Sequence, residues 1–226
     1  MEATITEKLS LFLVLVCSLS VHEWAHAFVA DKMGDSTPRA MGRLTLNPIA
    51  HIDLIGTILL PLIMMLCVSD GLVFGWGRPV LIDPRNFKNR AAGDILTSLA
   101  GPFANLGIAL VAAVAFGLAL GSTHDGEVAG KLALLGANII SLNVMLAVFN
   151  LLPIPPLDGS QVLRHLFRMS EMTFARFSQW SFVILLILIY LPGFQAFLSF
   201  LIDQTSAPFG MLMQGMAGLT MKLGGG

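Results

Sequence analysis

His22, Glu23 and His26 spell H-E-W-A-H inside an apolar stretch from Leu9 to Ala30. Residues four apart share one face of a helix, so His22 and His26 can present two imidazoles to one tetrahedral metal, while Glu23 stands beside them without serving as a ligand. This is the spacing of zinc hydrolases. Zinc brings the pKa of a bound water toward about 7, and the adjacent carboxylate can take its proton and pass it to a leaving amine. The setting makes the triplet costly: one ionisable residue near the middle of a membrane helix costs about 3 kcal/mol, so three clustered there require a metal, a partner or a water-filled cavity. The alternative is a pair of structural histidines hydrogen-bonded inside a bundle.

Catalytic zinc commonly takes three protein ligands, so a third is expected elsewhere in the chain. Asp158 is the best candidate. It lies in Asn150-Leu151-Leu152-Pro153-Ile154-Pro155-Pro156-Leu157-Asp158-Gly159, where prolines stop a helix and extended backbone can aim a carboxylate sideways. The alternative is a proline-rich exit turn in which Asp158 caps a following helix over Gly159 to Phe167.

The elements that must position these groups read as membrane helices. Of 226 residues, 55% are hydrophobic and 12% charged, about half the charge of an ordinary soluble domain. A net charge of -1 without long basic runs excludes a nucleic-acid partner. Apolar spans fall at Leu9 to Ala30, Ala91 to Leu120, Leu132 to Ile154, and Phe174 to Ile202. Pro192 and Gly193 interrupt the last, which is either one kinked helix or two shorter ones. Leu54 to Val68, with Pro61 near its middle, is too short for a secure span and reads as re-entrant, dipping in and returning by Phe74. Lys32, Arg39 and Arg43 before it and Arg78, Arg85, Lys88 and Arg90 after it place both flanks on the cytoplasmic side; Gly121 to Gly130 reads as external and Arg164, Arg168 and Arg176 as internal. His22 and His26 then lie about 12 and 6 Å short of the inner end of the first helix, at 1.5 Å per residue. The expected architecture is an all-α polytopic bundle of about four to six transmembrane helices in a lipid bilayer, with a re-entrant or short β-strand insert after the first.

Cys17 and Cys67 sit in apolar segments and suit buried thiols better than a disulfide. The apolar run after Met1 to Lys8 is too long for a signal peptide and holds the motif, so it is expected to be retained. The chain reads as a single membrane domain over residues 1–226, with a motif core at 9–166, a helical region at 174–202, and a methionine- and glycine-bearing tail at 203–226 that reads as loosely ordered or interfacial.

H-E-x-x-H together with Asn150, Pro153, Pro155, Asp158 and Gly159 resembles the site-2 protease family of intramembrane metalloproteases, whose second signature is N-x-x-P-x-P-x-x-D-G. Gly101-Pro102-Phe103-Ala104-Asn105 resembles a third, weaker element. The likeness covers about Leu9 to Leu166, and room for a PDZ or nucleotide-sensing domain is absent, as in the compact prokaryotic branch. The resemblance implies one zinc per chain held by His22, His26 and Asp158. It also implies Glu23 as general base and acid, and Asn150 as a group that orients substrate or stabilises the oxyanion. A buried Asn150 bonded to a neighbouring helix is the other account of that residue. The implied reaction is hydrolysis of peptide bonds in or near transmembrane segments of membrane-protein substrates, with the site toward the cytoplasmic face of a prokaryotic cell membrane.

Gly75 to Pro84 reads as a short edge strand able to pair with an unwound substrate, or as an interfacial loop anchored by Trp76 and Arg78. Gly101 with Asn105 reads as tight helix packing rather than catalysis. His51, His124 and His165 read as loop or interfacial residues, His51 being the one closest to the expected mouth of the site. The competing functions are a transporter or ion pathway using His22, Glu23, His26 and Asp158 as a relay, and an idle relative that binds membrane partners.

Overall fold

The computed structural model describes residues 5–67 and 75–224. The chain forms two compact units, Met1–Ala104 and Asn105–Gly226. Among the described residues, four helices are long and apolar enough to cross a membrane, over Thr6–Met33, Arg90–Ser122, Gly126–Asn150 and Glu171–Tyr190. The chain is therefore polytopic and helical, as composition requires.

In the first unit, α1 (Ile5–Met33) contains neither proline nor glycine, so its backbone bonds run unbroken. Leu15, Leu19, Ala25, Ala27 and Ala30 are buried, while Leu9, Leu13 and Phe28 face outward. Cys17, expected as a buried thiol, is also exposed on the apolar outer face of this helix. The helix ends at Gly34, whose φ of 118° only glycine adopts without strain. The Asp35 N–H reaches back to the Ala30 carbonyl at 2.9 Å, closing the last turn. A Cβ at Gly34 would also stand 2.9 Å from the Asn86 carbonyl oxygen.

Asp35 is fully buried and ties this exit to the loop that follows. Its carboxylate accepts from Thr37 N at 3.1 Å, Thr37 Oγ1 at 2.5 Å, Asp83 N at 2.7 Å and Asn86 Nδ2 at 2.8 Å. Burial, the largest influence, raises its pKa, but the bonds from Thr37, Asn86 and Asp83 outweigh it and hold the group below the usual carboxylate range. Its folded value thus lies below the unfolded one near 3.9, so its stabilising contribution is complete above that pH and is lost as pH falls through the folded value. Asp35→Ala removes the acceptor shared by four part-buried hydrogen bonds, and we expect a loss of about 2 kcal/mol, read as a lowered thermal unfolding midpoint of the detergent-solubilised chain.

Beyond α2 (Thr37–Ala40), a 3₁₀ turn at Pro48–Ala50 leads to a π-helical turn, Leu54–Leu59, which continues into α3 (Leu60–Cys67). Asp53 starts the π turn by accepting from Ile55 N at 3.1 Å and Gly56 N at 2.7 Å. Six and eight residues are too few to span a bilayer, in keeping with a shallow element. The expected return, residues 68–74, lies outside the described residues.

The expected β-strand is not present: no strand occurs among the described residues. Residues 75–83 carry no regular secondary structure, and their donors find irregular partners rather than a neighbouring strand. Trp76 N donates to Gly56 O at 3.1 Å, Arg78 N to His51 O at 2.7 Å, and Val80 N to a carboxylate of α1 at 3.0 Å. Alternate N–H groups therefore pin the segment as a strap, and no ladder forms. Gly56 makes room for it, since a Cβ there would lie 2.2 Å from the Trp76 indole nitrogen.

α4 (Arg90–Ser122) begins in the first unit and continues into the second, where α5 (Gly126–Asn150), α6 (Gly159–Leu166), α7 (Glu171–Tyr190) and α8 (Pro192–Gly224) follow. Ala109, Ala112 and Ala113 of α4, Ile140 and Val144 of α5, and Met213 of α8 form the core of that unit. Asn105 and Asn143, both fully buried, bond across α4 and α5 at 2.9 Å.

The interruption at Pro192 yields two helices: Leu191 turns extended and Pro192 begins α8, where a missing N–H costs nothing. Residues 203–224 of the tail, read as loosely ordered or interfacial, instead continue α8 as an unbroken helix through Gly224. Gly117 and Gly121 of α4 explain this. A Cβ at either would lie 2.5 Å from the Met213 or Ala217 carbonyl of α8, so their absence lets the two backbones approach.

Candidate metal centre

His22 and His26 are 4% and 6% exposed, burial that a solvent-facing histidine pair would not show. Their Nε2 atoms stand 3.0 Å apart. That is less than twice the usual zinc–nitrogen distance of about 2.0–2.1 Å, so one ion can reach both. The Nδ1–H of His26 donates to the Thr97 carbonyl at 2.7 Å, which leaves Nε2 with its lone pair directed at the shared point.

Gly101 shapes the space around them. A Cβ there would stand 2.4 Å from His26 Nε2 and 2.6 Å from His22 Nε2, so only a hydrogen side chain leaves room where the two nitrogens converge. The close packing expected at Gly101 is thus packing against the imidazoles themselves. Convergent nitrogens, a fixed tautomer and a cradle that a methyl would fill together fit a divalent metal of the zinc type.

Glu23 lies beside the pair on α1. Its Oε2 accepts from Val80 N at 3.0 Å, and buried Gly77 of the strap passes over its stem, where a Cβ would meet Glu23 Cγ at 3.3 Å. Buried Arg43 donates to the Ala50 carbonyl. Burial and then Arg78 pull its pKa below the usual guanidinium value, while Glu23 opposes them, so a buried cation lies within electrostatic reach of this carboxylate.

His22, Glu23 and His26 belong to the first unit, Asn150 and Asp158 to the second. The second unit holds Asp158 at the entrance to α6, where its side chain makes no capping hydrogen bond. Its turn is tightly set: Gly159 lies against Leu151, so that a Cβ would meet the Leu151 carbonyl oxygen at 2.1 Å, and Ser160 Oγ donates to Leu157 O at 2.6 Å. Leu152 and Leu157 anchor the turn against Leu185 of α7. Asn150 donates to Leu146 O of its own helix at 2.9 Å, and the inter-helix bond expected of a buried asparagine belongs to Asn143.

Thr97, Val80 and Gly77 are site residues that sequence reasoning does not single out. The readable signal lies in α4, where Asp94, Thr97, Ser98 and Gly101 recur at helical spacing and are all buried, a polar and small stripe in an apolar helix. His51, read as a loop or interfacial residue, lies in a turn and is 1% exposed, buried within the first unit.

A model of the family described as Peptidase family M50 matches residues 127–192. The protein named "Putative zinc metalloprotease YwhC" of Bacillus subtilis is 38% identical over 192 residues, covering 80% of each chain. "Putative zinc metalloprotease Rip2" of Mycolicibacterium smegmatis is 33% identical over 179 residues, which cover 78% of this chain and 64% of the relative. The Mycobacterium tuberculosis protein of the same name is 33% identical over 176 residues, with 77% and 64% covered. No solved structure matches.

Proposed function

Because the chain belongs to peptidase family M50 and carries, among its described residues, four helices fit to cross a membrane, we propose that it is an intramembrane zinc endopeptidase that cuts transmembrane segments of other membrane proteins. The observation that carries this reading is the convergence of two buried imidazole nitrogens, 3.0 Å apart, in an apolar helix. Zinc is the cofactor, and His22, His26 and Asp158 hold it. For Asp158, the support is the tightly set turn that carries it and the need of a catalytic zinc for a third protein ligand.

When bound, zinc supplies Lewis acidity toward a scissile carbonyl and lowers the pKa of a water toward about 7. His26 keeps its ring oriented through Thr97, and His22 shares its face of α1. Glu23, held at Oε2 by the Val80 N–H, offers Oε1 to take the proton from the attacking water and return it to the amine. Asn150 orients the substrate backbone. The cluster of basic residues flanking the 54–67 element favours an inner, cytoplasmic placement of the site.

The test is reconstitution of the full chain in vesicles with single-span substrate proteins. Cleavage is expected with zinc, lost on chelation and restored on zinc re-addition; a chain that never cleaves any such protein overturns the reading. Asp158→Ala tests the third ligand. It is expected to lower zinc affinity by at least about 100-fold, measured by competition with a chromogenic chelator, and unchanged affinity removes Asp158 from the ligand set.

A further inference from the structure

We propose that His51 is a positioning residue for Glu23, acting through the strap that carries Val80; this deepens the proteolytic reading and rests on it for its effect on rate. Three bonds link them. His51 Nε2–H donates to the Thr45 carbonyl at 2.7 Å, closing the Thr45–His51 loop on itself. The His51 carbonyl accepts from Arg78 N at 2.7 Å, and two residues on Val80 N donates to Glu23 Oε2 at 3.0 Å. The strap between them is glycine at 77 because the His51 carbonyl and the Glu23 stem both press on it, at 3.4 and 3.3 Å from a Cβ placed there.

The imidazole makes no other polar contact among the described residues. Nδ1 is buried with no hydrogen-bond partner, so the ring acts through Nε2–H alone. A buried acceptor left idle is unfavourable, and an apolar residue would fill the same space without that cost. The donor at Nε2 is therefore what the position requires. By fixing the loop, it fixes the carbonyl that holds Arg78 N, and thus the register at which Val80 meets Glu23. A displacement of about 1 Å in a catalytic carboxylate is enough to cost on the order of 100-fold in rate.

The experiment compares His51→Leu, His51→Gln and Val80→Pro in the full chain reconstituted with zinc and a single-span substrate. Leucine fills the site without a donor, glutamine restores an N–H at the reach of Nε2, and proline deletes the N–H given to Glu23. His51→Leu and Val80→Pro are each expected to lower kcat about 10–100-fold with KM nearly unchanged and zinc retained, and His51→Gln to recover most of the loss. The double variant H51L/V80P is expected to be no slower than V80P, because both break one linkage. An unaltered kcat in H51L, an equal loss in H51Q, or losses that multiply in the double variant would overturn the proposal. Amide exchange across residues 76–80 gives a second readout independent of cleavage: protection falls in H51L and is kept in H51Q. If wild type proves uncleaving yet this exchange pattern holds, the proteolytic reading fails and the linkage stands; if exchange in H51L matches wild type, the linkage fails.

Discussion

Glu23→Gln is expected to abolish cleavage, by about 10²–10⁴-fold or more, while zinc stays bound at one per chain. The substitution is nearly isosteric, and its oxygen can still accept from Val80 N, so the strap keeps its place. What disappears is the capacity to take a proton and return it. Because Glu23 is not counted among the ligands, metal content separates a lost base from a lost centre. Paired measurements of zinc by mass spectrometry and of substrate half-life in vesicles decide the matter. A Glu23→Gln chain that still cuts removes Glu23 from the mechanism, and one that loses zinc makes it a ligand instead.

Gly101→Ala is expected to do the reverse, removing the metal without touching any group that moves protons. The added methyl would lie 2.4 Å from His26 Nε2 and 2.5 Å from His22 Cε1, well inside van der Waals contact. Neither ring can retreat cheaply: His26 is tied to Thr97, and both rings are buried on a helix without glycine or proline. Zinc affinity should fall by at least about 100-fold, with activity lost in proportion and restored in part by excess metal. Retention of full zinc affinity would show that the rings or α4 can shift, and that the cradle is not needed. At Gly107, by contrast, an added Cβ would meet nothing within 4 Å, so Gly107→Ala is the matched control on the same helix.

The motif helix is legible in the sequence because its signals agree: a long apolar run, a four-residue spacing and three ionisable groups whose burial needs a compensating reason. The turn around Asp158 is legible for a related reason, since prolines and Gly159 leave the backbone few conformations. Gly101 reads only as a packing residue, because sequence shows that a side chain is missing and not what occupies its place. Thr97 acts through its carbonyl, a group every residue carries, and no residue type could announce it. The strap carries strand-like residues, but its partners are a π turn, a loop carbonyl and a side chain, and such irregular pairing leaves no period-2 trace. The last helix is hidden from sequence reading because Pro208 and several glycines weaken a helix in water. In an apolar bundle the same glycines cost less, and Gly117 and Gly121 of another helix supply the fit.

The bond from His26 to Thr97 spans 71 positions of sequence. Both histidines are made early, yet the carbonyl that fixes one of them and the glycine that makes space for both arrive only with α4. During synthesis, a chain that has threaded just its first segment into the bilayer holds the donors without the geometry. The metal-binding geometry of the histidine pair is thus incomplete until the later helix has docked against the first.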